Sequence, residues 1–249
     1  MAASLLAGLL GLATPVPRVH AADIIVNSTA DTTVVGDGNC TLREAINNAE
    51  AKADTTGTDD CTFDAATGDA ITFTVTDTIT LGSALPTFTE SLTITGLGSG
   101  SSTVSGNNNS AVFTTNGGTV SISGLTIPNG KSGVNGGGIR QENGTTSLTI
   151  SNVVISNNTV DGGIHGGGVS IEGGDTTIQN STISGNTAGA GGGFGGGIYT
   201  STDGTVTIAN STIKSNTAEA GGAGIYVDST IKCNFKGRKE RRAAVRKRA

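Results

Sequence analysis

Glu142 and Glu172 are the residues of this chain best placed to do chemistry together. Each stands three residues after the β-branched residue that closes a glycine run, Ile139 in GGGI and Val169 in GGGV. Side chains alternate along a strand, so counting from inward-pointing Ile139, Val169, Ile198 and Ile225 places Glu142, Glu172, Ser201 and Asp228 in one exterior column. On adjacent strands the two carboxylates would lie about 5 Å apart. That separation suits a shared calcium ion or, on distance alone, the carboxylate pair of a retaining glycosidase. The plain alternative is two solvated turn acids, since Ser201 interrupts the column and no base or nucleophile partner is evident. The same count aligns Arg140, Ser170, Tyr199 and Tyr226 in the neighbouring outer column, with Tyr199 over Tyr226 read as a stabilising stack rather than a ligand platform.

What must position these residues is a phrase that returns every 28 to 30 residues. Ile94, Ile122, Ile150, Ile178 and Ile208 each open a short apolar stretch, and two residues later stand Gly96, Gly124, Asn152, Asn180 and Asn210. Gly and Asn enter the left-handed backbone region most cheaply, so a bend is being repeated. A second β-rich stretch ends at Ile127, Ile155, Ile183 or Ile213, and a Gly-rich loop leads to a third at Ile139, Val169, Ile198 or Ile225. Three short strands and three turns per repeat, without helical spacing, predict an all-β solenoid: a parallel β-helix of about five rungs across residues 91–231. Its rod would be about 24 Å long at the interstrand spacing.

The segment before the rungs, residues 22–90, reads as an N-terminal cap with the first strands. Thr41 and Glu44 have the spacing of a capping box, and Leu42, Ala45, Ile46 and Ala49 fall on one helical face. A short amphipathic helix should therefore lie over the open first rung. Arg43 and Glu44 belong to that helix rather than to a catalytic site. Cys40 and Cys61 flank it and would form a disulfide after export, contributing about 3 kcal/mol, or else remain free thiols. Cys233 is left without a partner. Residues 1–21 carry a ten-residue apolar run from Ser4 to Ala13 and a small-residue cleavage pattern at Val19-His20-Ala21, the anatomy of a signal peptide.

Composition fits a secreted structural protein. Charged residues are 14%, aromatics 3%, and Trp is absent, so a sugar-binding module would have only Tyr199 and Tyr226 as platforms. Up to residue 231 six basic side chains face nineteen acidic ones, which makes nucleic acid a poor partner. The stretch 232–249 reverses that balance with nine basic residues against Glu240. It is expected to be an unstructured basic tail or a break in the reading frame near Thr230, with further rungs and an anchor beyond. Asn-x-Ser/Thr sites occur, but Asn180 and Asn210 already serve as bend residues.

VNSTADT followed by DGNCTLREAINNA (Asp37 to Ala49) resembles the CSLREA-type N-terminal domain at the head of large bacterial extracellular β-helix proteins, with Thr41 where Ser is usual. The later rungs resemble the repeats of polymorphic outer membrane proteins. GGGI or a variant recurs up to Ile139, Val169, Ile198 and Ile225, and ISNN, ISGN and IKSN end at Asn158, Asn186 and Asn216, with Ile where the family has Phe. The resemblance implies a right-handed parallel β-helix at a cell surface. The expected function is a non-enzymatic extracellular or cell-surface protein, adhesin-like or structural, without a cofactor unless Glu142 and Glu172 hold calcium. Its partner would be an extracellular surface, glycan or host-cell ligand, with membrane attachment only through a C-terminal region beyond the chain. The rival is a carbohydrate-active enzyme of the pectin-lyase-like group, a lyase or glycosidase, since that architecture also hosts such chemistry.

Overall fold

The computed structural model describes residues 23–53, 60–62, 70–228, 233–236 and 245–247, the last two as backbone only. The chain winds as a right-handed parallel β-helix, and every strand pairs in parallel with the strand one turn away. Among the described residues the first sheet has eight strands: Ile24–Val26, Ala70–Phe73, Leu92–Thr95, Thr119–Ser123, Ser147–Ser151, Asp175–Gln179, Val206–Ala209 and Cys233–Lys236. The second has six, from Thr78–Thr80 to Thr212–Lys214. The third also has six, Phe113–Thr115, Ile139–Gln141, Val169–Ile171, Ile198–Thr200, Ile225–Val227 and Val245–Lys247.

The isoleucine register is the one read from the sequence. Ile94, Ile122, Ile150, Ile178 and Ile208 are direct neighbours across the first sheet, and the ladder extends back to Ile71 and Ile24. All seven are 3% exposed or less. Ile127, Ile155 and Ile183 align in the second sheet, and Ile139, Val169, Ile198 and Ile225 in the third. Each fully buried Ile contributes roughly 1.5–3 kcal/mol, so the stack is held mainly by these ladders.

Three features differ from the sequence reading. A rung has four strands: the pairs Lys131–Ser132, Thr159–Val160, Thr187–Ala188 and Thr217–Ala218 form a fourth sheet after the second. Two residues are too few to show an alternation. Gly96 is not a left-handed bend residue as Gly124, Asn152, Asn180 and Asn210 are, with φ of 65°, 55°, 50° and 50°. Seven residues separate Leu92–Thr95 from Thr103–Ser105, where later rungs turn in two, so no sharp bend is needed. Gly96 is required for another reason: a Cβ there would collide with the Gly124 carbonyl oxygen. Finally, within the basic tail Cys233–Lys236 pairs with Val206–Ala209, and Val245–Lys247 with Ile225–Val227. An open strand edge presents unpaired N–H and C=O groups, and backbone pairing satisfies them whatever the side chains. The rest of that tail and residues 1–21, read above as a signal peptide, lie outside the described residues.

The cap forms as its spacing predicts. A helix runs from Leu42 to Ala51, with Thr41 Oγ1 accepting from Glu44 N and Glu44 Oε2 accepting from Thr41 N at 3.0 Å. Leu42, Ala45, Ile46 and Ala49 are buried in the core cluster, against the first two strands of the first sheet. Cys40 and Cys61 are bonded, with Cα atoms 4.8 Å apart. Arg43 is a clamp: it holds Asp31 through two bonds of 2.8 and 2.9 Å and donates to the Ser83 and Ala84 carbonyls. Asp31 in turn accepts from Gly82 N, so one guanidinium ties the N-terminal loop to the first rungs.

Candidate functional site

The outer face of the third sheet collects the ionisable and aromatic side chains. Its placement depends on the first glycine of each GGGI, GGGV or GAGI run. Gly136, Gly166, Gly195 and Gly222 have φ between 61° and 79°. A Cβ on Gly136 would meet Arg140 Cβ at 2.8 Å, and one on Gly222 would meet Tyr226 Cβ at 2.7 Å. The loop therefore folds back against the outside of the strand it precedes. Residues just before the run, Asn135, His165 and Phe194, then stack in their own column: Asn135 Oδ1 accepts from His165 N at 2.8 Å, and His165 Nδ1 accepts from Phe194 N at 3.1 Å.

Arg140, Ser170, Tyr199 and Tyr226 occupy one register line, as their spacing predicts. Glu142 and Glu172 are brought together, but through Arg140. Its Nη1 lies 2.6 Å from Glu142 Oε1 and its Nη2 lies 3.2 Å from Glu172 Oε2. Ser170 Oγ donates to Glu172 Oε1 at 2.9 Å. A calcium ion shared by the two carboxylates would have to displace the guanidinium and find the rest of its six to eight oxygens elsewhere. Among the described residues no group of three or more His, Cys, Asp or Glu side chains is placed to hold a metal. As a glycosidase pair the two acids would likewise have to work with an arginine between them.

One strand further along, the face turns aromatic. Tyr199 and Tyr226 stack nearly parallel, with centroids 6.0 Å apart. His165 covers Tyr199 at 4.6 Å, and Phe194 covers Tyr226 at 4.3 Å. The tyrosines are only 6% and 7% exposed, so their faces are used within the protein. Tyr199 donates its hydroxyl to Asp228 Oδ2 at 3.1 Å; burial, with the Asp228 carboxylate second, pushes its phenol up to about 12. His165 is held below its ordinary value by burial, against the opposing pull of Asp228 and Glu172. With Nδ1 accepting from backbone, its ring is neutral and carries its proton on Nε2. His165 and Phe194 were not legible as part of this cluster, because their column runs Asn135, His165, Phe194, Gly221 and repeats no residue type.

Inside the rod lies a second arrangement the sequence reading passed over. Asn158, Asn186 and Asn216, the ends of the ISNN, ISGN and IKSN motifs, form an amide ladder. Asn158 Nδ2 donates to Asn186 Oδ1 and Asn186 Nδ2 to Asn216 Oδ1, both at 2.9 Å. Each Nδ2 also reaches back to the preceding turn, to the Ile127, Ile155 and Ile183 carbonyls. Each follows a left-handed residue, Asn157, Gly185 or Ser215, where the chain leaves the second sheet. The signal available was the motif itself, an Asn returning in step with the isoleucines.

The model of the family described as right handed beta helix region matches residues 92–239. No curated protein and no solved structure matches the chain.

Proposed function

We propose, on the premise that the chain belongs to the right-handed β-helix family, that it is a non-enzymatic rod of the cell exterior or cell surface, structural or adhesin-like in role. The observation that carries this reading is the closure of the outer ionic cluster: Glu142 and Glu172 are both spent on Arg140. An enzyme on this rod would need groups of opposite role converging on a reacting atom, held in a groove. The Cys40–Cys61 disulfide supports export, because such bonds persist in oxidising compartments. The resemblance of the head to CSLREA-type domains and of the rungs to polymorphic outer membrane protein repeats supports a surface location.

The second reading is a polysaccharide lyase or glycosidase, favoured by acids and rings gathering on one outer face. One experiment separates the two. The purified chain is incubated with acidic and neutral polysaccharides, with and without calcium, beside a Glu142→Gln, Glu172→Gln double variant. No product is expected from either protein. Reproducible cleavage that disappears in the double variant would replace the scaffold reading with the enzymatic one. A rise in melting temperature with calcium, without turnover and lost in the double variant, would assign the pair a structural metal.

A further inference from the structure

The imidazole of His165 does two jobs at once, and only its neutral form can do both. Its Nδ1 accepts from Phe194 N at 3.1 Å, and its ring lies over Tyr199 with centroids 4.6 Å apart. A protonated ring carries N–H on both nitrogens, so its Nδ1 would set one donor against another at Phe194. The backbone on either side is fixed. His165 N donates to Asn135 Oδ1 at 2.8 Å, and His165 O accepts from Gly136 N at 3.0 Å. Phe194 is fixed as well, by Gly166 N on its carbonyl at 3.0 Å and by its ring on Tyr226. Relief of a donor–donor contact is therefore left to rotation of the imidazole about its own side-chain bonds. His165 is half-buried, so its ring has solvent to turn into.

The charges around the ring decide whether a proton could be held in place. Glu172 and Asp228, just past the ends of their strands in the third sheet, both attract an imidazolium. Each already has a partner: Glu172 is bonded to Arg140 and Ser170, and Asp228 accepts the Tyr199 hydroxyl. In the flanking loops Asp161 is paired with Lys131 at 3.1 Å, and Glu219 accepts from Gly192 N at 3.0 Å. On the aromatic side stand Phe194, Tyr226 and Tyr199, the last a neutral phenol through the whole acid range. Burial outweighs the pull of the two carboxylates and keeps the folded imidazole below its ordinary 6.5. The closed arrangement is thus the one that belongs to the neutral ring.

We propose that His165 is an acid-released clasp: on protonation its ring leaves Tyr199 and Phe194 N, and the face of Tyr199 opens to solvent beside Glu172 and Asp228. The third sheet then presents an aromatic ring among carboxylates where it had a closed face, while the isoleucine ladders behind the sheet stay as they are. This goes beyond the scaffold reading and does not depend on it, because the clasp is read from the tyrosines and turnover from saccharide products. Tyr199 and Tyr226 are the only tyrosines and Trp is absent, so tyrosine emission reads this cluster alone. The purified chain is taken from neutral pH into acid, with acrylamide quenching measured at each pH relative to the emission without acrylamide, which removes quenching by the imidazolium itself. At neutral pH neither tyrosine should be accessible, since they are 6% and 7% exposed. Below pH 6.5 one of the two should become accessible in a one-proton transition, with an unchanged circular dichroism spectrum. His165→Gln keeps an acceptor for Phe194 N and does not titrate, so it should stay closed throughout, whereas His165→Ala should be open at every pH. Should either variant fail to fold, the wild-type Phe194 amide resonance gives a second reading: it should shift in step with the titration of the His165 ring. Tyrosines closed on both sides of that titration, opening retained in His165→Gln, a closed His165→Ala, a Phe194 amide that ignores the ring, or opening that coincides with loss of the circular dichroism signal would each overturn the proposal.

Discussion

Asn186→Leu should be the most destabilising single substitution among the polar positions of the rod. Asn186 is fully buried, and its amide makes four bonds. Its Oδ1 accepts from Asn158 N at 3.0 Å and Asn158 Nδ2 at 2.9 Å; its Nδ2 donates to Ile155 O at 3.1 Å and Asn216 Oδ1 at 2.9 Å. Leucine fills the space but takes the acceptor from the buried Asn158 N–H, at about 1–3 kcal/mol for a stranded buried donor. Three further bonds vanish at about 0.5–1.5 kcal/mol each, with their partners keeping other contacts in part, as Asn158 Nδ2 keeps Ile127 O. The expected loss is about 3–6 kcal/mol, large for one residue in any protein. Urea unfolding followed by circular dichroism measures it, and a smaller m-value would show the stack opening at the broken turn. Asn186→Asp keeps an acceptor for Asn158 N but sets its second carboxyl oxygen against Ile155 O and Asn216 Oδ1, so its loss should grow as pH rises and the buried group ionises. A loss below about 1 kcal/mol for Asn186→Leu would refute the ladder as a source of stability.

Asn152→Val should cost about 1–3 kcal/mol through strain at φ 55°, whereas Asn152→Gly should change the urea midpoint very little. Reducing the Cys40–Cys61 bond should cost about 3 kcal/mol, and thiol labelling of the unfolded, unreduced protein should leave both cysteines unmodified; labelling of both would refute the bridge. His165, held below its ordinary 6.5, binds its proton more weakly when folded, so its contribution is intact above pH 6.5 and is lost as pH falls from there towards its folded value. His165→Gln, which can still accept from Phe194 N, should flatten that acid slope in thermal melts, and an unchanged slope would place the titration elsewhere.

How much of this was readable from residues alone follows from what each contact needs. The isoleucine ladders needed only that the same residue return at the same place, and the period carries that information whole. The capping box and its buried face were equally legible, because Thr41 and Glu44 act within one helical turn and the apolar positions within about two. The register line of Arg140, Ser170, Tyr199 and Tyr226 followed from alternation. What alternation could not supply was reach: it put Arg140 in one column and the two glutamates in the next, without showing that a long guanidinium side chain crosses between them. Gly96 misled because Gly satisfies two different demands, left-handed backbone and close approach, and the residue type does not distinguish them.

The same logic separates what is fixed in this rod from what is free. Interior positions see identical neighbours above and below, so each ladder is held to one residue class, and a change in one rung strains two interfaces. An outer position also has neighbours about 4.8 Å away, yet faces solvent on one side and tolerates variety. One column on the third sheet thus runs from Arg140 through Ser170 to Tyr199 and Tyr226, ionic at one end and aromatic at the other, without disturbing the Ile139, Val169 and Ile198 ladder beneath. On the first sheet the outer column remains hydroxyl-bearing from Thr93 to Thr207 although the rod does not demand it. Thr103, Thr126, Thr182 and Thr212 repeat the habit on the second sheet, so the outer hydroxyls follow from strand propensity at solvent-facing positions, while the uniformity inside follows from the stacking itself.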